Sequence, residues 1–149
     1  MQRYAGDIEI RRFLASVAKA SKLGPVLFQL PPNLKCDLPL LTDFLAGLPH
    51  HVRLAFEFRH DSWFRDDVFA SLHGSKVALC LAEREKLKTP DVHTTDFSYM
   101  RMRKEEYSAK VRKALRQKVL NLAQKREVFS HLLGLSEGIF DQSFEDGRL

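Results

Sequence analysis

Two runs decide the fold, Pro25-Val-Leu-Phe-Gln-Leu-Pro31 and Arg53-Leu-Ala-Phe-Glu-Phe-Arg59. Both are short and mainly apolar, and each carries one polar residue, Gln29 or Glu57, close to the point where the run ends. Short apolar runs bounded by turn residues predict strands that are buried on both faces, as in a parallel sheet. In an α/β barrel, the carboxyl ends of such strands carry the residues that do chemistry.

Helical patterns alternate with strand-like runs along the rest of the chain. Asp37 is predicted to cap a helix that has Pro39 in its first turn. The other predicted helices cover 7–22, 63–72 and 108–124. Further strands are predicted at 77–82 and 97–102, and Val128-Phe129 is the candidate start of a last strand. This alternation predicts βαβ units and a parallel sheet of four to five strands. A complete barrel needs eight, so periodicity alone leaves an open α/β sheet as an alternative.

Size and composition indicate one domain. The chain has 149 residues, of which 44% are hydrophobic. No apolar run approaches the roughly 20 residues that cross a bilayer, and the first residues lack the apolar core of a signal peptide. We therefore expect a cytoplasmic protein that does not insert into membranes. Cys36 and Cys80 form no CxxC pair, and both are expected to be reduced, with Cys80 in the core.

The positive charge is concentrated in one segment. Between Arg101 and Arg126 there are ten Lys or Arg residues and two Glu, a net charge of +8, whereas the whole chain carries +5. Such a segment can attract nucleic acid or another phosphate-bearing partner. A solvated basic helix face explains the same pattern and is the commoner reason for it.

Several motifs together resemble one protein family. They are LGPVLFQLPP, LAFEFRHDSWF, VALCLAEREK, TTDFSYMRMRKEEYS and a final EVF. As a set they closely resemble the domain of unknown function 72, an uncharacterised bacterial and archaeal family. The resemblance covers 24–129, and 130–149 form a divergent tail.

The resemblance implies a fold as well as a family. Domains of this family look like (β/α)₈ barrels of the TIM type, so these elements correspond to the later part of such a barrel. The expected architecture is one partial α/β barrel domain over 1–149, from a truncated gene or one with an altered reading frame. Unpaired strand edges in a partial barrel make self-association possible.

Polar residues lie at or near the carboxyl ends of the predicted strands. They are Gln29, Glu57, Arg59, Glu83 and Arg101. Strand ends in a barrel share one rim, so these side chains are expected to converge there. Glu57 stands between two phenylalanines, and the loss of solvation would suit it to general acid or base catalysis. Alternatively, Glu57 pairs with Arg59 or Arg101 and only satisfies polar groups at the barrel mouth.

The loop after the second strand adds two candidates. His60 can transfer protons near neutral pH, and Trp63 can stack on a ring or a base. Both can instead serve structure, His60 as a cap and Trp63 as a packing residue. Ser62 is outside a G-x-S-x-G elbow, so serine nucleophile chemistry has little support.

The strand at 97–102 brings cations and an aromatic ring together. Alternation places Tyr99, Arg101 and Arg103 on one face, an arrangement suited to an anion. Metal ligation would need several carboxylate or imidazole groups, but no H-x-x-x-H, H-x-H or DxD spacing occurs among Glu57, His60, Glu83, His93 and Asp96. The sequence therefore predicts no metal site and leaves the cofactor undetermined.

Three functions remain open from the sequence. In the first, Glu57 acts as acid or base with Arg59 and His60, in acid-base or metal-assisted hydrolysis. Gln29, Trp63, Glu83, Tyr99 and Arg101 then bind a small or phosphate-bearing ligand. In the second, the basic segment binds nucleic acid. In the third, the chain is a non-functional gene fragment.

Overall fold

A computed structural model describes residues 5–17, 19, 24–83, 87–102 and 107–132, with the side chains of 5–8 and 130–132 left aside. The helices are α1 Ala5–Val17, α2 Leu38–Ala46, α3 Asp66–Gly74 and α4 Ala109–Ala123, and a one-turn 3₁₀ helix covers Asp61–Trp63. The strands are β1 Val26–Gln29, β2 Leu54–Glu57, β3 Ala78–Glu83, β4 Phe97–Met102 and β5 Glu127–Leu132. Within these residues, no helix is both long and apolar enough to cross a bilayer.

The five strands form one parallel sheet in sequence order, β1-β2-β3-β4-β5. The register pairs Gln29 with Glu57, Cys80 with Tyr99, and Ala82 with Arg101. The predicted α/β class with a parallel sheet is thereby confirmed. The candidate strand at Val128-Phe129 is present as β5 and pairs with β4 over six residue pairs.

The sheet is strongly curved. Arg101 on β4 donates a hydrogen bond to Gln29 on β1 at 2.7 Å, although two strands lie between them. Neighbouring strands are about 4.8 Å apart, so β1 and β4 would be about 14 Å apart in a flat sheet. Near the amino ends of the strands, Arg53 likewise reaches Glu127 at 2.7 Å. Curvature of this kind is that of a barrel wall and gives the sheet a concave and a convex face.

The two faces have different cores because side chains alternate along each strand. On the convex face, Phe56, Phe58 and Leu79 pack beneath α2 and α3 in the larger apolar cluster. A second convex cluster joins β3 and β4 to α4. Its members include Leu81, Met100, Met102, Val119 and Leu122. On the concave face a smaller cluster contains Ala55, Ala78, Phe97 and Phe129, with Leu27 and Tyr99 packed against it.

Local capping sets where α2 and α4 begin. The Asp37 carboxylate accepts a hydrogen bond from the Leu40 backbone at 3.0 Å, and Ser108 caps α4 through Val111 at 3.4 Å. These caps satisfy backbone N–H groups that lack a partner within the helix. The predicted starts of α2 and α4 are therefore confirmed.

Two predicted helices have different bounds. The helix predicted over 63–72 begins at Asp66, because His60 accepts a hydrogen bond from the Ser62 backbone and closes a separate 3₁₀ turn first. The helix predicted over 7–22 is present as Ala5–Val17. Residues 18 and 20–22 of that prediction lie outside the described residues, as do Arg103 and most of the 130–149 tail.

Candidate functional site

Three strands bring one polar group each to the carboxyl end of the concave face. Nη1 of Arg101 donates to Oε2 of Glu57 at 2.5 Å and to Oε1 of Gln29 at 2.7 Å. That nitrogen carries two hydrogens, so it can serve both acceptors at once. We call Gln29, Glu57 and Arg101 the rim triad. The sequence predicts that these three residues lie at one rim, and in the structure they meet through the guanidinium group of Arg101.

The three side chains of the rim triad differ in their exposure to solvent. The Glu57 side chain is 0% exposed and that of Arg101 is 12% exposed, whereas Gln29 is exposed. An ionised carboxylate without water is stable only when paired and hydrogen-bonded. Arg101 is such a partner for Glu57, and the predicted Glu57–Arg101 pair is confirmed.

A second arginine follows Glu57 on the same side. Phe58 packs on the convex face, so alternation returns Arg59 to the side of Glu57. Arg59 is half-buried, and its Nε, like the Nε of Arg101, is a buried donor with no hydrogen-bond partner among the described residues. Among the described residues on this side, Arg59 adds a positive charge to that of Arg101, which is paired with Glu57.

Tyr99 lies two residues before Arg101 on β4, on the same face. It is half-buried and packs against the apolar cluster of the concave face. Burial raises the pKa of the Tyr99 phenol, the neighbouring Cys80 and Glu57 raise it further, and Arg101 partly opposes them. The phenol therefore stays protonated at neutral pH and can donate a hydrogen bond.

Glu83 is placed on the other face. It ends β3, alternates with Ala82 and pairs in register with Met102, whose side chain is in the convex cluster of α4. Because alternate residues face opposite sides, Glu83 shares the side of Leu81 rather than that of Arg101. The strand register therefore places Glu83 on the opposite face from the rim triad, and the expected convergence is not observed.

His60, Asp61 and Ser62 contact one another but not in the manner of a catalytic triad. Nδ1 of His60 lies 2.9 Å from Oγ of Ser62 and 3.0 Å from Oδ1 of Asp61. A catalytic histidine uses one ring nitrogen for the carboxylate and the other for the nucleophile. Since one nitrogen takes both contacts here, and also accepts from the Ser62 backbone at 3.2 Å, the cluster caps the 3₁₀ turn.

Trp63 packs instead of facing a ligand. Its ring stacks on Phe58 with centroids 4.7 Å apart and an interplanar angle of 4°. Its indole N–H donates to the Leu34 carbonyl at 2.8 Å, and the residue is 3% exposed. Buried tryptophans use the N–H in this way to fix a loop. Trp63 thus ties the loop after β1 to the loop after β2.

His93 lies at the opposite end of the sheet from the rim triad. Its Nδ1 is 3.2 Å from Oγ of Ser98, near the start of β4, and its Nε2 is 3.5 Å from Asp91. Burial lowers the pKa of His93, and Arg126 lowers it further while Asp91 partly opposes both. Among the described residues, no group of three or more His, Cys, Asp or Glu side chains is placed to hold a metal ion.

The basic segment is a separate surface. Lys110, Arg112, Lys113 and Arg116 are exposed on α4, which packs on the convex face. Other cations of this segment make structural contacts, as Lys118 does with Asp91 at 3.3 Å and Arg126 with the Thr95 carbonyl at 3.0 Å. Only Arg101 takes this charge to the described part of the rim.

Cys80 is a neighbour of the site that the sequence predicts only as a core residue. Cys80 is buried, and it pairs in register with Tyr99 on the concave face. Its place on that face could have been read from the alternation Ala78, Cys80, Ala82, but an uninterrupted apolar run hides which residues face inward.

The fold and the rim define the class of protein, an α/β protein whose parallel sheet curves like a barrel wall and gathers polar groups at the carboxyl ends of its strands. The profile of the family described as "Protein of unknown function DUF72" matches residues 2–133. The chain belongs to this family. The match extends on both sides of the region 24–129 whose motifs carried the resemblance.

Two solved structures of the family have the same fold. A DUF72 family protein from Thermotoga maritima is 22% identical, with a TM-score of 0.70 over 85% of this chain and 56% of its own. One from Enterococcus faecalis is 18% identical, with a TM-score of 0.71 over 91% of this chain and 65% of its own. The chain thus spans less than two thirds of the length of either relative. No curated protein matches it.

Proposed function

We propose that the rim triad and Arg59 form a binding site for a small ligand that carries an anionic group, such as a phosphate or a carboxylate. The observation that carries this proposal is the state of Arg101. Its Nη1 is held by Glu57 and Gln29, while its Nε has no described hydrogen-bond partner. The same is true of Nε in Arg59.

An arginine held in this way is prepared for a ligand. The guanidinium group presents donors in a rigid planar fork that matches oxyanions. Because Glu57 and Gln29 already fix its orientation, little side-chain freedom remains to be lost when an anion binds. Arg59 supplies the positive charge that the Glu57–Arg101 pair cancels within itself.

Glu57 acts through Arg101 in this proposal and is a positioning residue. The hydrolytic alternative, in which Glu57 is the general acid or base, needs its carboxylate to reach the substrate. Full burial and the 2.5 Å bond to Arg101 favour positioning. Glu57→Gln separates the two roles, because the amide keeps an acceptor oxygen for Arg101 but cannot exchange a proton.

The test of the proposal is phosphate binding to the full chain by isothermal titration calorimetry. Arg101→Lys keeps the charge but loses the planar fork, so we expect an affinity at least about tenfold lower. Arg112→Lys, the same change on the exposed face of α4, should bind as the wild type does. Acetate in place of phosphate tells whether a carboxylate suffices.

Equal phosphate affinity in Arg101→Lys and the wild type contradicts the proposal. Circular dichroism of both variants shows whether they fold. If Arg101→Lys does not fold, Gln29→Ala provides a second test at an exposed position, with a smaller loss of affinity expected.

Other expectations stay proposals. The free thiols of Cys36 and Cys80 are compatible with the proposed cytoplasmic location. Self-association through β1 or β5, the outer strands of the described sheet, is a prediction that the oligomeric state in solution tests. No observation ties the exposed cations of α4 to nucleic acid, so nucleic-acid binding is not part of the proposed function.

A further inference from the structure

We propose that Tyr99 forms the floor of the rim site and donates a hydrogen bond from its phenol to an oxygen of the bound anion, which makes Tyr99 a specificity-determining residue. This inference rests on the proposed function and deepens it. It states which further residue touches the ligand and which chemistry the ligand must offer at that point, namely an oxygen acceptor.

Alternation along β4 places Tyr99 next to Arg101 on the concave face, one step toward the amino end of the strand. Tyr99 and Arg101 share the concave face of β4, and two residues of a strand span about 6.6 Å. Arg101 lowers the pKa of the Tyr99 phenol and Glu57 raises it, as charged groups on the same face do. A ligand that enters between the rim residues therefore meets the tyrosine next.

Tyr99 also marks the boundary between two layers of the concave face. Toward the amino ends of the strands, its ring packs against the cluster that contains Phe97 and Phe129. Toward the carboxyl ends lie the carboxylate, amide and guanidinium groups of the rim triad. An amphipathic ring is suited to such a boundary, with its apolar body on one side and its hydroxyl on the other.

The hydroxyl of Tyr99 has no hydrogen bond to another described residue. Some other buried or half-buried donors do have partners, as the Trp63 indole has in Leu34 and the Thr94 hydroxyl in Val77. A partly buried hydroxyl gains little from staying without a partner. The Tyr99 hydroxyl is thus a third donor, beside Nε of Arg59 and Nε of Arg101, that is left for a ligand or water.

The protonation state of the phenol selects the ligand atom. Since the pKa of Tyr99 is raised, the phenol carries its proton at neutral pH and acts as a donor rather than as a base. The guanidinium groups of Arg59 and Arg101 favour negative charge in the same space. Together they favour an oxyanion whose oxygen reaches below the rim.

The experiment compares Tyr99→Phe with the wild type in calorimetric titrations with inorganic phosphate. Phenylalanine keeps the ring and its packing and removes only the hydroxyl, so we expect binding to weaken roughly fivefold to tenfold, the usual effect of one such hydrogen bond. Tyr107→Phe is the matched control. Tyr107 is buried in the convex cluster with α4, and its variant should bind phosphate as the wild type does.

The outcomes separate this inference from the proposed function. If Tyr99→Phe binds phosphate like the wild type while Arg101→Lys binds weakly, the role of Tyr99 is overturned and the anion site stands. If neither variant differs from the wild type, both proposals fail.

A second measurement covers a failure of Tyr99→Phe to fold. In wild-type protein, phosphate should shift the ring ¹H–¹³C signals of Tyr99 and leave those of Tyr107 in place. Unchanged Tyr99 signals at saturating phosphate overturn the inference.

Discussion

An arginine–glutamate pair bridges distant strands at each end of the concave face, and the two pairs differ in what surrounds them. At the carboxyl end, Glu57 and Arg101 are 0% and 12% exposed. At the amino end, Arg53 and Glu127 are 47% and 30% exposed at an N···O distance of 2.7 Å. Both pairs hold the curvature of the sheet, but only the first has been removed from water.

The two arginines also differ in their other contacts. Arg53 lies over the rings of Phe97 and Phe129, 5.8 and 5.3 Å from their centroids, and so has an aromatic contact besides Glu127. Arg101 has a buried Nε without a described partner, next to a half-buried tyrosine. The contacts of Arg53 thus lie within the protein, whereas Arg101 keeps a donor for the ligand that we propose.

The largest expected effect comes from breaking the buried pair. Arg101→Met removes the ion pair between Arg101 and the buried Glu57 carboxylate, so the free energy of unfolding should fall by about 3–5 kcal/mol. Urea denaturation at neutral pH measures it. In the double variant Glu57→Met, Arg101→Met, most of this loss should be recovered, because no buried charge remains. A double variant as unstable as Arg101→Met would show that the charge is not the cause.

A smaller effect is expected at the amino end. Arg53→Met removes a partly exposed ion pair and a cation–π contact, which together contribute about 1–2 kcal/mol. A double-mutant cycle with Glu127→Gln measures the coupling of the two charges. In 1 M NaCl, where the screening length is about 3 Å, this coupling should largely vanish, while the Glu57–Arg101 coupling should persist. Equal salt sensitivity at both ends would remove the distinction drawn between them.

The smallest expected effect concerns His93, which lies near the amino end of β4. Because burial and Arg126 lower its pKa, the unfolded chain takes up the proton at higher pH than the folded chain. The free energy of unfolding is unaffected by His93 above a pH of about 6.5, where the imidazole is neutral in both states. It falls as the pH decreases toward the lowered pKa of His93 in the folded chain. Asp91 opposes the shift, and Lys118 and Lys125 add to it.

NMR titration of the histidine rings should place the midpoint of His93 below about 6.5. His93→Gln should reduce the loss of stability on acidification, whereas His51→Gln, at an exposed position, should leave it unchanged. A His93 midpoint at or above the ordinary value contradicts this prediction.

Sequence patterns predicted the elements better than the contacts. Asp37 and Ser108 cap their helices through backbone groups three residues away, and such local chemistry can be read from neighbouring letters. The later start of α3 was missed because it depends on His60 closing a 3₁₀ turn with its side chain. A loop histidine gives no sign in the sequence of which backbone amide it will bind.

In the candidate site too, sequence patterns placed some residues and not others. Gln29, Glu57 and Arg101 could be placed at strand ends from the sequence, and alternation predicted that Tyr99 and Arg101 share a face. The side of Glu83 was not recognised, because side-chain direction depends on strand register and the apolar letters around Glu83 suit either face. Trp63 was uncertain for a related reason, since its partner Leu34 lies in another loop.

Periodicity, caps and motifs act over a few neighbouring residues, so the order of strands and helices, the family and the polar residues at the strand ends can be read from the sequence. The contacts of Arg101 with Glu57 and Gln29, across 44 and 72 positions of the chain, depend on how the strands pack. The curvature of the sheet brings β1 and β4 within reach of one side chain. That curvature results from the packing of all five strands together, so no single stretch of sequence records it.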